Sequence, residues 1–262
     1  MDKLEKLKSL ISSVDSAVIA FSGGVDSTFL ARVAKDVLKK ILLVTATSST
    51  YPERELNGSI ELSKGMGILH RIIDSEELNI SGFTKNPPDR CYYCKKELFS
   101  KIKQIAIEEK YDAVFDGSNT DDLGDYRPGR KALAELGVIS PLCEAGMTKE
   151  DIRKFSQLYG LSTASKATFA CLASRFPYGE EITKEKLSRV GRAEEELYKM
   201  GFRQFRVRSH ENVARIEVAR EEMDTAWTQR PELIKICKGA GFTFVTLDLD
   251  GYRTGAMNEV LR

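Results

Sequence analysis

Short apolar runs alternate with amphipathic stretches along the first part of the chain. The apolar runs have the length of buried strands and fall at 17–21, 41–46, 68–73 and 113–116. Apolar residues recur with the spacing of amphipathic helices before, between and after these runs, which predicts helices at 3–11, 27–39, 53–65, 92–109, 130–136 and 148–159. Apolar strands that alternate with amphipathic helices predict a parallel sheet covered by helices on both faces. The expected fold class is therefore α/β, with a Rossmann-like sheet.

The pattern changes after residue 165. Alternating apolar and polar residues predict half-exposed strands at 205–208, 214–218 and 244–248, and helical patterns cover 183–200 and 220–239. We expect a smaller α+β domain here, with one face of its sheet open to a ligand or partner. The predicted domains are residues 1–165 and 166–262.

A glycine-rich loop follows the first apolar run. Residues 22–27 read Ser-Gly-Gly-Val-Asp-Ser and lead into the helix predicted at 27–39. Gly23 and Gly24 lack a Cβ, so the backbone can bend tightly and approach a ligand. Successive N–H groups and the positive end of the new helix favour bound phosphate. The pattern is typical of enzymes that split ATP between its α and β phosphates, and it lacks the lysine of a Walker loop. The alternative is an ordinary strand–turn–helix corner.

Polar residues after the strand at 113–116 belong to the same predicted sheet edge. Ligands bind beyond the carboxyl ends of parallel strands, so we expect both loops to line one site. Asp121 and Asp122 could hold Mg²⁺ beside a triphosphate, or could cap a helix. Arg127 is a candidate phosphate or carboxylate clamp. The predicted residues of the ATP and Mg²⁺ site are Ser22, Gly23, Gly24, Asp26, Ser27, Ser48, Gly117 and Arg127.

Three of the five cysteines form a further candidate site. Cys91 and Cys94 have C-x-x-C spacing, and Cys171 follows in Ala-Cys-Leu-Ala-Ser-Arg. Three thiolates leave one position open on zinc or on one iron of a [4Fe–4S] cluster. A redox pair and three separate thiols are the alternatives. We interpret Cys143 and Cys237 as core residues.

Arginines predict an anion site in the second domain. Arg206 and Arg208 share one face of a predicted strand, and Arg215 lies on the next strand. Convergent guanidinium groups bind phosphate well, although a solvated strand face gives the same spacing. The two histidines, His70 and His210, are interpreted as structural residues.

Composition narrows the possible partners. The 262 residues carry 40 basic and 39 acidic side chains, a formal net charge of +1, which argues against a nucleic-acid partner. No apolar stretch reaches the length of a membrane span, and the charged N-terminus does not resemble a signal peptide. We therefore expect a cytoplasmic protein without structural disulfides.

Several motifs together resemble the LarE family of ATP-dependent sulfur transferases, which belongs to the PP-loop ATP pyrophosphatases. The resemblance covers nearly the whole chain and lies in Ala-Phe-Ser-Gly-Gly-Val-Asp-Ser at 20–27, Arg-Cys-Tyr-Tyr-Cys-Lys at 90–95, Asp-Tyr-Arg-Pro-Gly at 125–129, Ser-Arg-Phe-Pro-Tyr-Gly at 174–179 and Arg-Val-Arg at 206–208. The two proline-containing motifs are distinctive of this family, whereas the glycine loop occurs far more widely.

The resemblance implies a specific reaction in the biosynthesis of the nickel-pincer nucleotide cofactor. ATP would adenylate a carboxylate of a pyridinium biscarboxylate mononucleotide, and sulfur would then displace AMP to give a thiocarboxylate. By motif position, the substrate phosphate is expected at Arg206 and Arg208, and Glu194 and Glu217 match acidic residues of the family's C-terminal site. The second domain would thus bind substrate phosphate and support a homo-oligomer. Cys171 and Asp26 are the expected catalytic residues.

The sulfur source divides the family. Some members sacrifice the sulfur of one cysteine and lack the C-x-x-C pair. Because this chain has Cys91, Cys94 and Cys171, it resembles the members that hold a [4Fe–4S] cluster, whose unligated iron carries sulfide from a donor. The alternatives are sacrificial-cysteine transfer, tRNA 2-thiolation by a related cluster enzyme, an amide-forming ligase, and a nucleotide-binding regulator with structural zinc.

Overall fold

The computed structural model describes residues 2–75, 77–123 and 128–261. The chain divides into two compact units: residues 1–77 with 89–168, and residues 78–88 with 169–262. The domain assignment made from the sequence, with its substrate-binding and oligomerisation roles, stays a prediction. Of the helices in the described ranges, none has the length and apolar character needed to cross a membrane.

The first unit is built on a four-stranded parallel sheet. Its strands are β1 (Ser16–Ala20), β2 (Lys40–Thr47), β3 (Leu69–Asp74) and β4 (Ala113–Phe115), in the order β3-β2-β1-β4. The helices as far as residue 158 are α1 (Lys3–Ile11), α2 (Val25–Val37), α3 (Glu53–Met66), α4 (Ser81–Thr84), α5 (Arg90–Glu108), α6 (Gly129–Glu135), α7 (Pro141–Glu144) and α8 (Lys149–Leu158). Of these, α4 belongs to the second unit. The predicted α/β fold class is confirmed.

Alternate residues of the central strands pack on opposite faces of this sheet. Ala17 and Ile19 of β1 lie in one core with apolar residues of α1, α2 and α8. Val18 lies in a second core with apolar residues of α5 and α6. Because both faces are covered, the strands read as continuous apolar runs in the sequence.

The second unit contains a three-stranded mixed sheet. Its strands are β5 (Phe205–His210), β6 (Val213–Val218) and β7 (Phe244–Leu247), and its longer helices are α9 (Lys184–Lys199), α10 (Met223–Thr228) and α11 (Arg230–Ala240). β5 and β6 are antiparallel, and β6 and β7 are parallel. The single helix predicted at 220–239 is wrong: Pro231 in the first turn of α11 has no N–H to continue the helix from α10.

Half-exposed strands were also predicted for this sheet, and the prediction is wrong for β5. Five of its six residues are buried, and only His210 is exposed. The charged residues Arg206 and Arg208 are 7% and 8% exposed. They tolerate burial because acidic partners lie beside them, as described below.

Hydrogen bonds of Asn86 tie the segment 78–88 to the rest of the second unit. The Asn86 carboxamide donates hydrogen bonds to the carbonyl oxygens of Phe176 (3.3 Å) and Pro177 (2.6 Å). In return, the Gly179 N–H donates to the Asn86 carbonyl at 2.9 Å. These bonds fix the Phe-Pro-Tyr-Gly part of a distinctive motif.

Candidate functional site

The strand order creates a crevice at the carboxyl edge of the parallel sheet. β2 and β3 lie on one side of β1, and β4 lies on the other, where Ile19 is the partner of Phe115. The order in which strands are added to the sheet therefore reverses at β1, with β2 and β3 on one side and β4 on the other. Ligands of open α/β sheets bind at such a switch point, here between β1 and β4. The loops after β1 and β4, both selected from the sequence, meet here.

The loop after β1 requires glycine at one position. Gly23 has a φ of 62°, and a Cβ built on it would lie 3.1 Å from the Cα and the Cβ of Ser59 in α3. Gly24 follows as the residue that precedes the first turn of α2. The hydroxyls of Ser22 and Ser27 are 3.2 Å apart across the loop. The loop is therefore a tight turn that presents backbone rather than side chains.

The loop leaves backbone donors available to a ligand. Among the described residues, no acceptor receives the N–H groups of Gly23, Val25 or Asp26. The Gly24 N–H has only a long contact, 3.4 Å, with the Ser22 hydroxyl. These N–H groups and the N-terminus of a 13-residue helix make an anion-binding concavity.

Asp26 forms an ion pair with a lysine that is 123 residues away in the sequence. The Lys149 ammonium, at the start of α8, donates to Oδ2 of Asp26. Oδ1 is buried, and no hydrogen bond of normal geometry reaches it from the described residues, although the Asn119 side chain lies close enough to favour the ionised form. Burial raises the pKa of Asp26, and the charge of Lys149 opposes this shift. An orphaned carboxylate oxygen beside a phosphate-type loop fits Mg²⁺, which prefers oxygen ligands.

Lys166 is a second cation at the same loop. Its ammonium donates to the Gly23 carbonyl at 3.1 Å and forms an ion pair with the buried Glu55 at 2.7 Å. Neither Lys149 nor Lys166 was identified from the sequence. They lie 123 and 143 residues from their partners, and no local pattern marks a lysine that the fold brings back to a loop.

The loop after β4 contacts the glycine loop through Gly117. A Cβ at Gly117 would lie 3.3 Å from the Ser27 nitrogen, so the two loops approach closely. Asp121 accepts the Lys149 N–H at 2.8 Å, and Asp122 accepts the Asn119 N–H at 3.1 Å. These contacts fit the capping alternative, and magnesium ligation by either carboxylate stays a prediction. The candidate clamp Arg127 lies outside the described residues.

Ser48 takes part in a buried hydroxyl network. Its Oγ lies 2.9 Å from the Thr50 hydroxyl and donates to Glu77 at 3.1 Å. Glu77 is 5% exposed and also accepts from the hydroxyls of Thr50 and Ser75. This network fixes the turn after β2, at the same sheet edge as the glycine loop. Contact of Ser48 with a nucleotide stays a prediction.

The candidate cysteines belong to two units. Cys91 and Cys94 are the second and fifth residues of α5 in the first unit, where Cys91 is exposed, and Cys171 lies in the second unit. All five cysteines are described, and none forms a disulfide. In the described ranges there is no group of three or more His, Cys, Asp or Glu side chains that could hold a metal ion.

An ion pair fixes the backbone beside Cys171. The Arg175 guanidinium donates to both carboxylate oxygens of Glu194, at 2.7 and 2.8 Å, and both side chains are almost completely buried. Arg175 also donates to the carbonyl oxygens of Ala170 (2.9 Å) and Cys171 (3.3 Å). Glu194 in turn accepts the Val207 N–H at 2.9 Å. The cysteine segment is thus tied to α9 and β5.

Two further arginines complete this buried cluster. Arg208 donates to both oxygens of Glu217, at 3.0 and 2.8 Å, and to the Ser174 carbonyl at 2.7 Å. Arg206 lies over the Tyr252 ring, 4.9 Å from its centroid. Burial, and then the charge of Arg175, lower the pKa of Arg206 to about 10. The buried side chains of the cluster are three guanidinium groups and two carboxylates. The half-buried Arg215 lies 3.2 Å from Glu217 and pairs with Asp248 at 2.8 Å, so the excess remains one positive charge, which favours an anion.

The parallel sheet and the Ser-Gly-Gly-x-Asp-Ser loop at its switch point define a PP-loop α/β protein. In agreement, residues 16–86 match the family model described as Queuosine biosynthesis protein QueC. These residues include β1, the glycine loop, β2, α3 and β3.

Relatives along the full length identify the family. The chain is 34% identical over 261 residues to the pyridinium-3,5-bisthiocarboxylic acid mononucleotide synthase of Lactiplantibacillus plantarum, with 99% of this chain and 95% of that protein covered. It therefore belongs to the LarE family. Uncharacterized proteins of Synechocystis sp. and Methanocaldococcus jannaschii are 45% and 31% identical, over 99% and 97% of this chain and 98% of each relative.

Proposed function

We propose that this protein inserts sulfur into a pyridinium biscarboxylate mononucleotide at the expense of ATP. The observation that carries the proposal is the set of unused N–H groups in the glycine loop at the switch point, in a chain related along its full length to a bisthiocarboxylate synthase. The relative's name specifies a product with two thiocarboxylates, which supports two rounds of the same chemistry.

The first step is adenylation of a substrate carboxylate. A carboxylate oxygen attacks the α-phosphorus of ATP, the bond to the β-phosphate breaks, and pyrophosphate leaves. The loop N–H groups bind the leaving pyrophosphate, and Lys149 and Lys166 supply positive charge beside it. Asp26, whose buried Oδ1 receives no hydrogen bond of normal geometry from the described residues, would hold Mg²⁺, which neutralises phosphate charge when bound.

The second step replaces AMP by sulfur. A sulfide sulfur attacks the acyl carbon, the carbon–oxygen bond to AMP breaks, and a thiocarboxylate and AMP result. A [4Fe–4S] cluster held by Cys91, Cys94 and Cys171 would supply that sulfide. Three thiolates are a suitable donor set for such a cluster, and Arg175 holds the backbone carbonyl of Cys171 in place. Loss of sulfur from Cys171 itself is the alternative source.

The substrate phosphate is proposed to bind at Arg206 and Arg208. The excess positive charge of the buried cluster supports this role, because a bound dianion would neutralise it. Glu194 and Glu217 then act by holding the arginines rather than by contacting substrate.

Adenylation is tested by following both nucleotide products. Protein, ATP and Mg²⁺ are incubated with and without the pyridinium biscarboxylate mononucleotide, and AMP, ADP and pyrophosphate are quantified. AMP and pyrophosphate that form only with substrate support the proposal. ADP and phosphate, or AMP formed equally without substrate, contradict it. Asp26→Asn should lose this activity, whereas Asp36→Asn, an exposed ion-pair change on the same helix, should retain it.

The sulfur source is tested by the iron, acid-labile sulfide and zinc content of protein purified without oxygen. About four irons per chain that are lost in Cys91→Ala support the cluster. Zinc without sulfide points to a structural role for the C-x-x-C pair. If no metal is present, the mass of Cys171 after one reaction shows whether its own sulfur was transferred.

A further inference from the structure

Four successive carbonyl groups of the glycine loop are each held by a donor. Phe21 O accepts from the Thr45 hydroxyl, and Ser22 O accepts from the Tyr51 hydroxyl at 2.8 Å. Gly23 O accepts from Lys166 at 3.1 Å, and Gly24 O accepts the Thr28 N–H at 3.0 Å. Three of these donors are side chains, those of Thr45, Tyr51 and Lys166. Only Lys166 also has a part in the proposed chemistry, as a positive charge beside the pyrophosphate. The three side chains come from β2, from the turn after it, and from the segment after α8.

Planarity of the peptide bond gives these contacts a consequence for ligand binding. In a trans peptide the carbonyl of one residue and the N–H of the next point in opposite directions. A carbonyl held on one side of the loop therefore directs the following N–H to the other side. The Tyr51 contact at Ser22 O aims the Gly23 N–H, and the Lys166 contact at Gly23 O aims the Gly24 N–H.

The donor at Phe21 is itself supported by His70. Thr45 has one hydroxyl proton, which it donates to Phe21 O, so its oxygen accepts from Nε2 of His70 at 2.8 Å. Nδ1 of His70 lies 3.1 Å from the Ser63 hydroxyl, which donates its proton to the Ile60 carbonyl at 2.8 Å. Burial lowers the pKa of His70, which favours the neutral imidazole with its proton on Nε2, facing Thr45. These contacts join α3, β3 and β2 to the loop.

The donor at Ser22 is held by the hydroxyl network after β2. The Tyr51 N–H donates to the Ser48 carbonyl at 3.1 Å, and the Ser48 and Thr50 side chains are bonded to the buried Glu77. Burial, and then the charge of Glu55, raise the pKa of Tyr51, so the phenol keeps its proton and remains a donor.

We propose that Thr45 with His70, Tyr51 and Lys166 are positioning residues that orient the N–H groups of the glycine loop for pyrophosphate without touching the nucleoside. This inference rests on the proposed function, since it assumes that the loop binds the polyphosphate of ATP. It assigns a role to residues that act through the backbone of the loop. Tyr51 gives the cleanest test, because its hydroxyl is uncharged and can be removed while the ring remains.

The test is calorimetric titration of the full chain with MgATP and, separately, with inorganic pyrophosphate and Mg²⁺. Tyr51→Phe removes one hydrogen bond to Ser22 O, and we expect roughly two- to tenfold weaker binding of both ligands by the same factor. Thr45→Val removes the donor to Phe21 O, which aims the Ser22 N–H at the Ser27 hydroxyl 3.3 Å away. Because Thr45 fixes the start of the loop rather than an unused N–H, we expect a smaller loss, again equal for both ligands. The matched control is Tyr159→Phe, whose ring packs against Phe29. It should leave both affinities unchanged.

Each outcome distinguishes the inference from the function on which it rests. If Tyr51→Phe and Thr45→Val weaken ATP but not pyrophosphate, the residues contact the nucleoside and the positioning role is overturned. Unchanged affinity for both ligands in both variants, with wild-type binding intact, overturns the inference alone. A wild-type chain that binds neither ligand overturns the proposed function and this inference with it. Circular dichroism shows whether each variant is folded; if one variant does not fold, the other is judged by the same outcomes on its own.

Discussion

Replacing Glu194 by glutamine is expected to destabilise the second unit by about 3–5 kcal/mol, the cost of breaking a buried ion pair. Glutamine keeps the size of the side chain but removes the charge that faces Arg175, which is fully buried. Its amide NH₂ would also face a guanidinium N–H, donor against donor. The excess positive charge of the arginine cluster rises from one to two.

Urea unfolding followed by tryptophan fluorescence measures this change, because the only tryptophan, Trp227, lies in α10 of the second unit. Glu196→Gln is the matched control on α9, since its ion pair with Lys199 is exposed to solvent and contributes little to stability. A loss for Glu194→Gln no larger than that of the control would refute the reasoning.

The same comparison has a defined pH dependence. Burial raises the pKa of Glu194, but the charge and hydrogen bonds of Arg175 outweigh it, so the pKa lies below its ordinary value of 4.5. A depressed acid stabilises fully above the unfolded pKa and loses its contribution as the pH falls through the folded pKa. The difference between wild type and Glu194→Gln should therefore be constant above pH 4.5 and shrink below it.

Three further predictions concern the glycine positions and Asp26. Gly23→Ala should lower the free energy of unfolding by ~1–3 kcal/mol, because φ is 62° and the methyl group would lie 3.1 Å from Ser59 of α3. It should also abolish ATP binding in calorimetry. Gly58→Ala is the control, since its methyl group would meet open space and should not destabilise the chain. Gly251→Ala should lower the urea midpoint of the second unit, since the methyl group would lie 2.8 Å from a carbonyl of β6, and an unchanged midpoint would contradict this. Lys149→Met removes the charge that opposes the raised pKa of Asp26, so the acid limb of AMP formation should move to higher pH; a limb that stays in place or moves lower argues against ionised Asp26.

The first unit could be predicted well because its signals are local. Each buried parallel strand is a short apolar run, and the loop at 22–27 combines its glycines with the strand before it and the helix after it. The sequence pattern does not contain the strand order. The loops after β1 and β4 could nevertheless be predicted to lie together, because ligand-binding loops of a parallel sheet follow the carboxyl ends of its strands.

The missing parts of the site depend on contacts between residues far apart in the chain. In the sequence, Lys149 looks like a solvated lysine at a helix start and Lys166 like a solvated loop lysine; only the fold brings them to the glycine loop. Arg206 and Arg208 have the alternation of an exposed strand face. They can be buried because Glu217 of β6 lies beside them on the neighbouring strand and Glu194 of α9 adds a second carboxylate. The sequence periodicity of β5 gives no sign of these neutralising charges.

The central claim is tested most directly by the mass of the nucleotide product. Protein purified without oxygen is incubated with ATP, Mg²⁺, sulfide and the pyridinium biscarboxylate mononucleotide, and the product is analysed by mass spectrometry beside a Cys171→Ala control. The account predicts replacement of carboxylate oxygen by sulfur, with AMP formed for each sulfur inserted, and no sulfur in the control product. A substrate that is adenylated but never gains sulfur, or a control that inserts sulfur as well as the wild type, would contradict it.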